Sequence, residues 1–227
     1  MSTHLSEAIL RSIDVNKLET IGTFLRANPH ETRPTIEGHF ARLQAAGRIR
    51  SYPLIGHQVY YVLTSKECKA RGLSPKRSLP FGPVGLVANY SSLLYCSDKA
   101  VRRRTGRENE ATIPELLTRG FAADRYVRHG DGIGLLICDC GAFPRHIAGK
   151  AIDQWSRRRA VPAWKEILHA QGFTLIIVLG DKNKADHVER RLFDKGVRYE
   201  FAIYPELQRF FLKAPTAKAV GKEKAQC

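Results

Sequence analysis

Two apolar runs in the second half of the chain constrain the fold more than any other feature of the sequence. Residues 133–138 and 173–179 are apolar at almost every position, so both sides of each predicted strand need burial. Strands of that kind lie in the middle of sheets that helices cover on both faces. Helical spacing follows each run, and a third strand is predicted at 197–203. The order strand, helix, strand, helix, strand predicts a mixed or parallel sheet in an α/β domain that spans residues 121–211.

The first 72 residues have a different pattern, because the spacing of apolar residues changes there from three or four to two. Helical spacing predicts three helices before Gly47, and Pro34 suits the first turn of the third, where its missing N–H costs nothing. Strands are predicted at 48–52 and 58–64, with a turn between them. Three short helices and a hairpin are the plan of a winged helix-turn-helix, so the expected class is α/β, α+β overall.

The chain is strongly basic, with 37 Lys and Arg residues against 22 Asp and Glu residues and a net charge of +15. The excess is spread along the chain and is not confined to one tail. Each basic side chain that neutralises a phosphate releases counterions, so a polyanion is the natural partner. Charge alone also allows a basic surface without a ligand. Together with the helix-turn-helix pattern, the charge predicts binding to double-stranded DNA.

The predicted third helix and hairpin supply the candidate DNA-binding residues. The outer face of the helix would carry both phosphate-binding and base-reading side chains, and the hairpin would lie near backbone phosphates. Contact with another protein is the alternative use of such a domain. The candidates are Arg33, Thr35, Glu37, His39 and Arg42 on the helix, and Arg48, Arg50 and His57 on or beside the hairpin.

Residues 73–120 are predicted to connect the two domains. Two prolines within 73–80 indicate a linker, and the apolar stretch 83–96 predicts a helix that contacts both domains. Residues 212–227 are basic and low in apolar bulk, which predicts a flexible tail that adds nonspecific affinity for DNA. A basic run at 99–107 is either a phosphate-gripping element or a solvated helix face, and its basic residues are Lys99, Arg102, Arg103, Arg104 and Arg107.

The N-terminal pattern resembles the winged helix of the replication-relaxation family, which is found on plasmids and integrative elements. Two segments carry the resemblance, Phe40-Ala-Arg42-Leu43-Gln-Ala-Ala-Gly47-Arg-Ile49 and Tyr60-Tyr61-Val-Leu63-Thr64. The second half resembles the restriction-endonuclease-like domain of those proteins, a three-layer α/β fold. The resemblance covers most of the chain and rests on the pattern and order of its elements. It implies a transcription regulator, or a replication or transfer accessory factor, of a mobile element.

The resemblance also implies positions for a nuclease site. Active nucleases of that fold hold a divalent metal between an Asp before one strand and an acidic residue on the next, and a nearby Lys positions the attacking water. Asp124 and Asp139 match the acidic positions, but Gly141 stands where the lysine is expected, which leaves Lys150 as the candidate. The missing lysine favours a protein without catalysis and without a cofactor. A Mg²⁺-dependent endonuclease that uses Asp124 and Asp139 is the alternative.

The sequence lacks the features of a zinc site, of a membrane-spanning segment and of a signal peptide. Cys138, Cys140 and His146 do not have the paired spacing of a four-ligand zinc site, so no metal is predicted there. No apolar run approaches the roughly 20 residues that span a bilayer, and no signal peptide opens the chain, so we expect a cytoplasmic protein without a membrane partner. The sequence thus predicts a non-catalytic DNA-binding protein, with a homodimer left open and a protein-interaction scaffold as a further alternative.

Overall fold

A computed structural model of the protein describes residues 3–99, 101, 126–129, 132–169 and 172–211. Within these residues the chain is a mixed α/β structure with two β-sheets. None of the helices in this part has both the length and the apolar character that crossing a membrane requires. Some predicted features lie outside the described residues, namely Asp124, the run Arg102, Arg103, Arg104 and Arg107, and the tail 212–227.

The N-terminal part consists of three helices and an antiparallel hairpin, in the order that the sequence predicts. Thr20 and Thr32 precede the second and third helices, and each hydroxyl accepts a hydrogen bond from a backbone N–H of the first turn. Gly47 follows the third helix in the left-handed conformation, with φ of +66°. The elements are α1 (Thr3–Asn16), α2 (Ile21–Ala27), α3 (Arg33–Ala45), β1 (Ile49–Pro53) and β2 (Val59–Leu63).

The inner faces of these elements share one apolar core. Ile9 of α1, Phe24 of α2 and Phe40 of α3 are all buried in it. The ring of Phe40 lies 4.6 Å from that of Tyr61 on β2, so the third helix is tied to the hairpin as well as to the other helices. A further short helix that the sequence pattern did not predict, α4 (Ser65–Ala70), follows the hairpin.

The second part is a four-stranded sheet in the order β3-β4-β5-β6, which agrees with the predicted mixed sheet. β3 pairs antiparallel with β4, whereas β4, β5 and β6 are parallel to one another. The two apolar runs form the central strands. The elements are α5 (Pro83–Asp98), β3 (Tyr126–His129), β4 (Gly132–Cys138), α6 (Pro144–Arg159), α7 (Lys165–His169), β5 (Phe173–Leu179), α8 (Lys182–Leu192) and β6 (Tyr199–Ile203), with 3₁₀ helices at Pro75–Ser78, Pro162–Trp164 and Pro205–Phe210.

Helices cover both faces of this sheet, which gives the described region three layers. Leu135 and Leu175 face the layer of α6 and α8 and share a core with it. Leu136 and Ile176, their neighbours along the strands, share the opposite core with Leu94 of α5. This alternation is what the two continuous apolar runs require, because their large apolar residues belong to one core or the other.

α5 joins the two parts of the molecule, as predicted. Its buried residues belong to the same apolar core as Leu18 and Tyr60 of the N-terminal part, and it also packs against α2. The segment 73–80, by contrast, is not a free linker. An ion pair of 3.1 Å between Arg77 and Asp14 ties it to α1, so this segment is packed onto the N-terminal part.

Candidate functional site

The outer face of α3 is exposed to solvent. Arg33, Thr35, Glu37 and Arg42, four of the predicted DNA-binding residues, are exposed on it. Arg33 Nε donates a hydrogen bond of 2.8 Å to Glu37 Oε1, one helical turn away. α3 packs mainly against α1, α2 and β1. The outer face therefore remains accessible to a partner.

The middle of this face is built from small residues. Ala41 and Ala45 are exposed, and Gly38 lies about one turn before Ala41 along the helix. A Cβ atom added to Gly38 would meet no other atom within 4 Å. A partner can therefore approach the backbone of α3 closely between the two arginines.

His39 lies on the opposite face, so the prediction that it is presented outward is wrong. It is only 4% exposed, and its Nδ1 lies 2.8 Å from Ser6 Oγ of α1. Burial, and next the charge of Arg42, hold the pKa of His39 below its usual value, which favours the uncharged ring. The reason is helical spacing, because His39 stands three residues after Ile36 and four before Leu43, which both point into the core.

The hairpin offers fewer available cations than the sequence predicts. Arg48 donates hydrogen bonds of 2.9 and 2.8 Å to the two carboxylate oxygens of Glu67, and Arg71 binds the same carboxylate. The bonds from Arg48 and then from Arg71 lower the pKa of Glu67 to about 2, so Arg48 is held in a bidentate ion pair. Arg50 and His57 are exposed as predicted, and His57 lies in the turn between the strands.

Asp139 lies directly after β4 and is 1% exposed. Its Oδ1 accepts hydrogen bonds from the backbone N–H groups of Gly141 and Ala142, at 2.9 and 3.1 Å. Its Oδ2 accepts a bond of 2.6 Å from Lys184 Nζ. Both oxygens therefore have donors from the chain itself, and a lysine neutralises the charge.

The lysine that binds Asp139 is Lys184 and not Lys150, the candidate from the sequence. Lys150 is exposed on α6, whereas Lys184 belongs to the first turn of α8. Asp139 follows β4 and α8 follows β5, and the ends of these parallel strands lie side by side. Asp124, the other predicted metal ligand, lies outside the described residues. Within the described residues, no three His, Cys, Asp or Glu side chains converge closely enough to hold a metal ion.

The residues weighed for a zinc site are spread over different surroundings. Cys138 is buried, and its Sγ lies 3.6 Å from the hydroxyl oxygen of Ser92 on α5. His146 is on α6, where its ring lies 6.3 Å from that of Phe143. The contact between Cys138 and α5 agrees with the predicted packing role.

Three polar side chains that the sequence does not single out meet between α5 and the sheet. Tyr95 is 2% exposed, donates a hydrogen bond of 2.8 Å to Glu200 Oε1 on β6, and lies 3.3 Å from His129 Nδ1 on β3. His129 Nε2 is 3.6 Å from Glu200 Oε2. Burial, and next the hydrogen bond to the carboxylate, raise the pKa of Tyr95, so its hydroxyl stays protonated. No local motif could reveal residues that belong to three separate elements.

Glu19, in the loop between α1 and α2, is another residue that the sequence does not single out. It is 2% exposed, and its oxygens accept hydrogen bonds from the Thr20 N–H at 2.9 Å and from the hydroxyls of Ser12 and Thr23. No Lys, Arg or His in the described part of the chain forms an ion pair with it. Burial raises the pKa of Glu19 to about 7, although the hydrogen bonds lower it.

Comparison of the chain with models of protein families, with curated proteins and with solved structures finds no match. The function is therefore inferred from the geometry of the residues themselves. Two arrangements stand out, the exposed face of α3 and the buried carboxyl of Glu19, which accepts hydrogen bonds but forms no ion pair within the described residues.

Proposed function

We propose that this protein binds double-stranded DNA without catalysing a reaction, and that α1, α2, α3 and the hairpin form a winged helix-turn-helix. The observation that carries the proposal is the exposed face of α3, where two arginines, a threonine and a glutamate surround a patch of small residues. In helix-turn-helix proteins the second helix of the motif lies in the major groove and contacts base edges. α2 and α3 then form the motif, and α3 is the recognition helix.

The side chains of α3 divide into two roles in this proposal. Arg33 and Arg42 bind phosphates or the acceptor edge of guanine, while Thr35 donates or accepts a hydrogen bond at either. Glu37 repels phosphates and accepts a hydrogen bond from cytosine N4, so it contributes selectivity and not affinity. Gly38 lets the backbone approach the bases. A face of this composition suits recognition of a preferred sequence better than charge attraction alone.

The hairpin and the overall charge supply the affinity that does not depend on sequence. Arg50 and His57 are exposed on the hairpin, which acts as the wing and contacts the phosphate backbone. The net charge of +15 attracts the duplex and raises the rate of association at low salt. Arg48 is excluded from this role because Glu67 already binds its guanidinium group.

The second part of the molecule fits a degenerate nuclease-like domain in this proposal, as the resemblance to the replication-relaxation family implies. A regulator, or a replication or transfer accessory factor, of a mobile element would use such a domain for binding or assembly. The buried Asp139 carboxylate is neutralised by Lys184, which leaves it little capacity for a metal ion. Incubation of supercoiled DNA with Mg²⁺ or Mn²⁺ separates the two hypotheses. Cleavage that is lost in Asp139→Asn would establish the endonuclease instead.

Titration of a fluorescently labelled mixed-sequence duplex, followed by anisotropy, tests the proposal. The affinity should fall about 10³-fold or more between about 50 and 200 mM salt if six or more phosphates are neutralised. Arg33→Ala should reduce the slope of log K against log salt by about 1, as expected for one lost phosphate contact. Gly38→Glu should weaken binding further, because it places a second carboxylate in the middle of the face.

Arg157 on α6 provides a matched control. Arg157 and Asp153 form an exposed ion pair of 2.9 Å with the same four-residue spacing as Arg33 and Glu37. Arg157→Ala therefore removes the same charge and the same kind of pair from a different surface, and it should leave DNA affinity nearly unchanged. Equal losses in Arg33→Ala and Arg157→Ala, or no anisotropy change at low salt, would refute α3 as the recognition helix.

A further inference from the structure

A cavity of about 450 Å³ lies between α1 and α5, beside the loop that carries Glu19. Ala8 and Val15 of α1 and Leu93 of α5 are among the residues that line it. This volume falls within the range of about 300–1,000 Å³ that is typical of sites for small molecules. The cavity therefore has room for an organic ligand with a compact apolar body.

Glu19 is one of the residues that line this cavity. Its hydrogen-bond donors are two hydroxyls and a backbone N–H, which stabilise an anion but carry no formal charge. The other charged or titratable groups on the lining are His4, Glu7 and Arg11 of α1 and Cys96 of α5. Arg11 is exposed, so water screens its charge, whereas Glu19 is almost fully removed from water.

A buried carboxylate is costly unless an opposite charge accompanies it. Asp139 shows how the chain meets this requirement elsewhere, with Lys184 at 2.6 Å. Among the described residues no cation forms an ion pair with Glu19, and the residue lines an empty volume instead. A ligand that brings its own cation would fill the volume and supply the missing charge.

We propose that the cavity between α1 and α5 is a binding site for a small organic ammonium ion, which pairs with Glu19 and places its apolar body against Val15 and Leu93. Apolar side chains provide the hydrophobic contact, and Ser12 and Thr23 hold the carboxylate in place while the ammonium group binds. The site is distinct from the exposed face of α3, and its occupancy does not depend on DNA binding.

Calorimetric titration with two probes tests this site, 2-phenylethylamine and its neutral counterpart 2-phenylethanol. The two probes have nearly the same shape, so a difference in affinity reports the ion pair. At pH 8 we expect the amine to bind at least about tenfold more tightly than the alcohol, which corresponds to about 1.4 kcal/mol. Glu19→Gln keeps a hydrogen-bond acceptor at the same place but should bring the two affinities to within about twofold of each other.

The pH dependence of amine binding gives an independent readout. The amine stays protonated, so its affinity should follow ionisation of Glu19, whose pKa is about 7 in the empty protein. Affinity at pH 6 should be about tenfold lower than at pH 8, because only the ionised carboxylate can form the pair. His4→Gln should keep this profile, which separates Glu19 from the histidine on the same cavity wall.

Three results would overturn the proposal. The first is an absence of amine binding to the wild-type protein at millimolar concentration. The second is an unchanged preference for the amine in Glu19→Gln. If that variant does not fold, Val15→Phe replaces it, since Val15 lines the cavity and is not among the hydrogen-bond donors of Glu19. Unchanged amine binding by Val15→Phe is the third contradicting result, and loss of binding supports the site.

Discussion

The N-terminal part and the four-stranded sheet each bury one carboxylate almost completely, and they neutralise it in different ways. Asp139 at the end of β4 is 1% exposed and binds Lys184, whereas Glu19 is 2% exposed and its donors among the described residues are uncharged. In the sheet, a lysine of the chain itself therefore supplies the charge opposite to that of Asp139. At Glu19, a ligand in the adjoining cavity would supply that charge. Equal burial thus marks a structural site in one region and a candidate binding site in the other.

The largest effect on stability is expected from removing the cation that pairs with Asp139. Lys184→Met leaves Asp139 buried without an opposite charge, and loss of one partner of a buried pair costs about 3–5 kcal/mol. We expect the lower end, about 3 kcal/mol, because Lys184 keeps 19% exposure and the amides of Gly141 and Ala142 remain. Urea unfolding followed by tryptophan fluorescence measures the change.

Lys182→Met is the control for that measurement. Lys182 is exposed two residues away on the same helix, so its replacement should change the free energy of unfolding by no more than about 0.5 kcal/mol. Similar stabilities of the Lys184→Met and Lys182→Met proteins would show that the backbone amides alone hold Asp139. The contrast between the two buried carboxylates would then disappear.

Glu19→Gln tests the buried carboxyl of Glu19 through the pH dependence of the free energy of unfolding. The pKa of Glu19 rises from 4.5 in the unfolded chain to about 7 in the folded protein, so the folded state holds a proton that the unfolded state releases in this interval. Wild-type stability should therefore fall as the pH rises from 4.5 to 7 and stay lower above it. Between pH 4.5 and 7, the difference in the free energy of unfolding between Glu19→Gln and wild type should grow by about 3 kcal/mol, at about 1.4 kcal/mol per unit of pKa.

The difference in unfolding free energy between Glu19→Gln and wild type isolates the contribution of Glu19 from those of other titrating groups. His39 acts in the opposite direction, because burial lowers its pKa and stability falls as the ring becomes protonated in the unfolded chain at lower pH. Both proteins contain His39, so its contribution cancels. Parallel pH profiles for the two proteins would contradict the assignment of a raised pKa to Glu19.

The helices and strands could be predicted from the sequence because burial requires apolar residues at the positions that face a core. The runs 133–138 and 173–179 show their burial on both faces directly, and the spacing of Ile36, Phe40 and Leu43 shows the inner face of α3. The same spacing places His39 on the inner face, whereas its polar ring alone favours the outer face. Periodicity was the stronger signal there than residue type.

The polar sites could not be predicted in the same way, because their partners come from distant elements. Lys184 reaches Asp139 across 45 residues, and Glu200 meets Tyr95 across 105. Glu19 stands between Leu18 and Thr20, and its partners are Tyr61 of the hairpin through the backbone and Ser12 and Thr23 through the side chain. Such contacts depend on the order of strands and the placement of helices, which a local pattern does not contain.

Glu67 is a third carboxylate for this comparison. It pairs with two cations, whereas Asp139 pairs with one and Glu19 with none among the described residues. Arg48 and Arg71 lower its pKa from 4.5 to about 2, so its stabilising effect is fully present above pH 4.5 and is lost as the pH falls through 2. Glu67→Gln should cost about 2 kcal/mol at pH 7, a value moderated by the partial exposure of Arg48. The loss should shrink below pH 4.5, outside the interval in which Glu19 acts.

Unfolding measured at pH 3 and pH 7 checks this prediction. The exposed Glu37→Gln variant serves as the control, because it breaks an ion pair that water already screens and should change stability by no more than about 0.5 kcal/mol. An equal loss for Glu67→Gln at both values of pH would show that shape, and not charge, accounts for its contribution.

The smallest effect is expected at Glu200, the carboxylate that remains open to water. Its side chain is 36% exposed, so water can replace a lost donor. Tyr95→Phe removes the hydroxyl that donates to Glu200 at 2.8 Å and should cost only about 1 kcal/mol, the net value of one hydrogen bond. Tyr52→Phe, which removes a hydroxyl bond of 3.1 Å to the carbonyl of Ser78, gives the matched comparison in urea unfolding. A loss above about 3 kcal/mol for Tyr95→Phe alone would mean that Tyr95, His129 and Glu200 act as one cooperative network, with an energetic weight like that of the pair at Asp139.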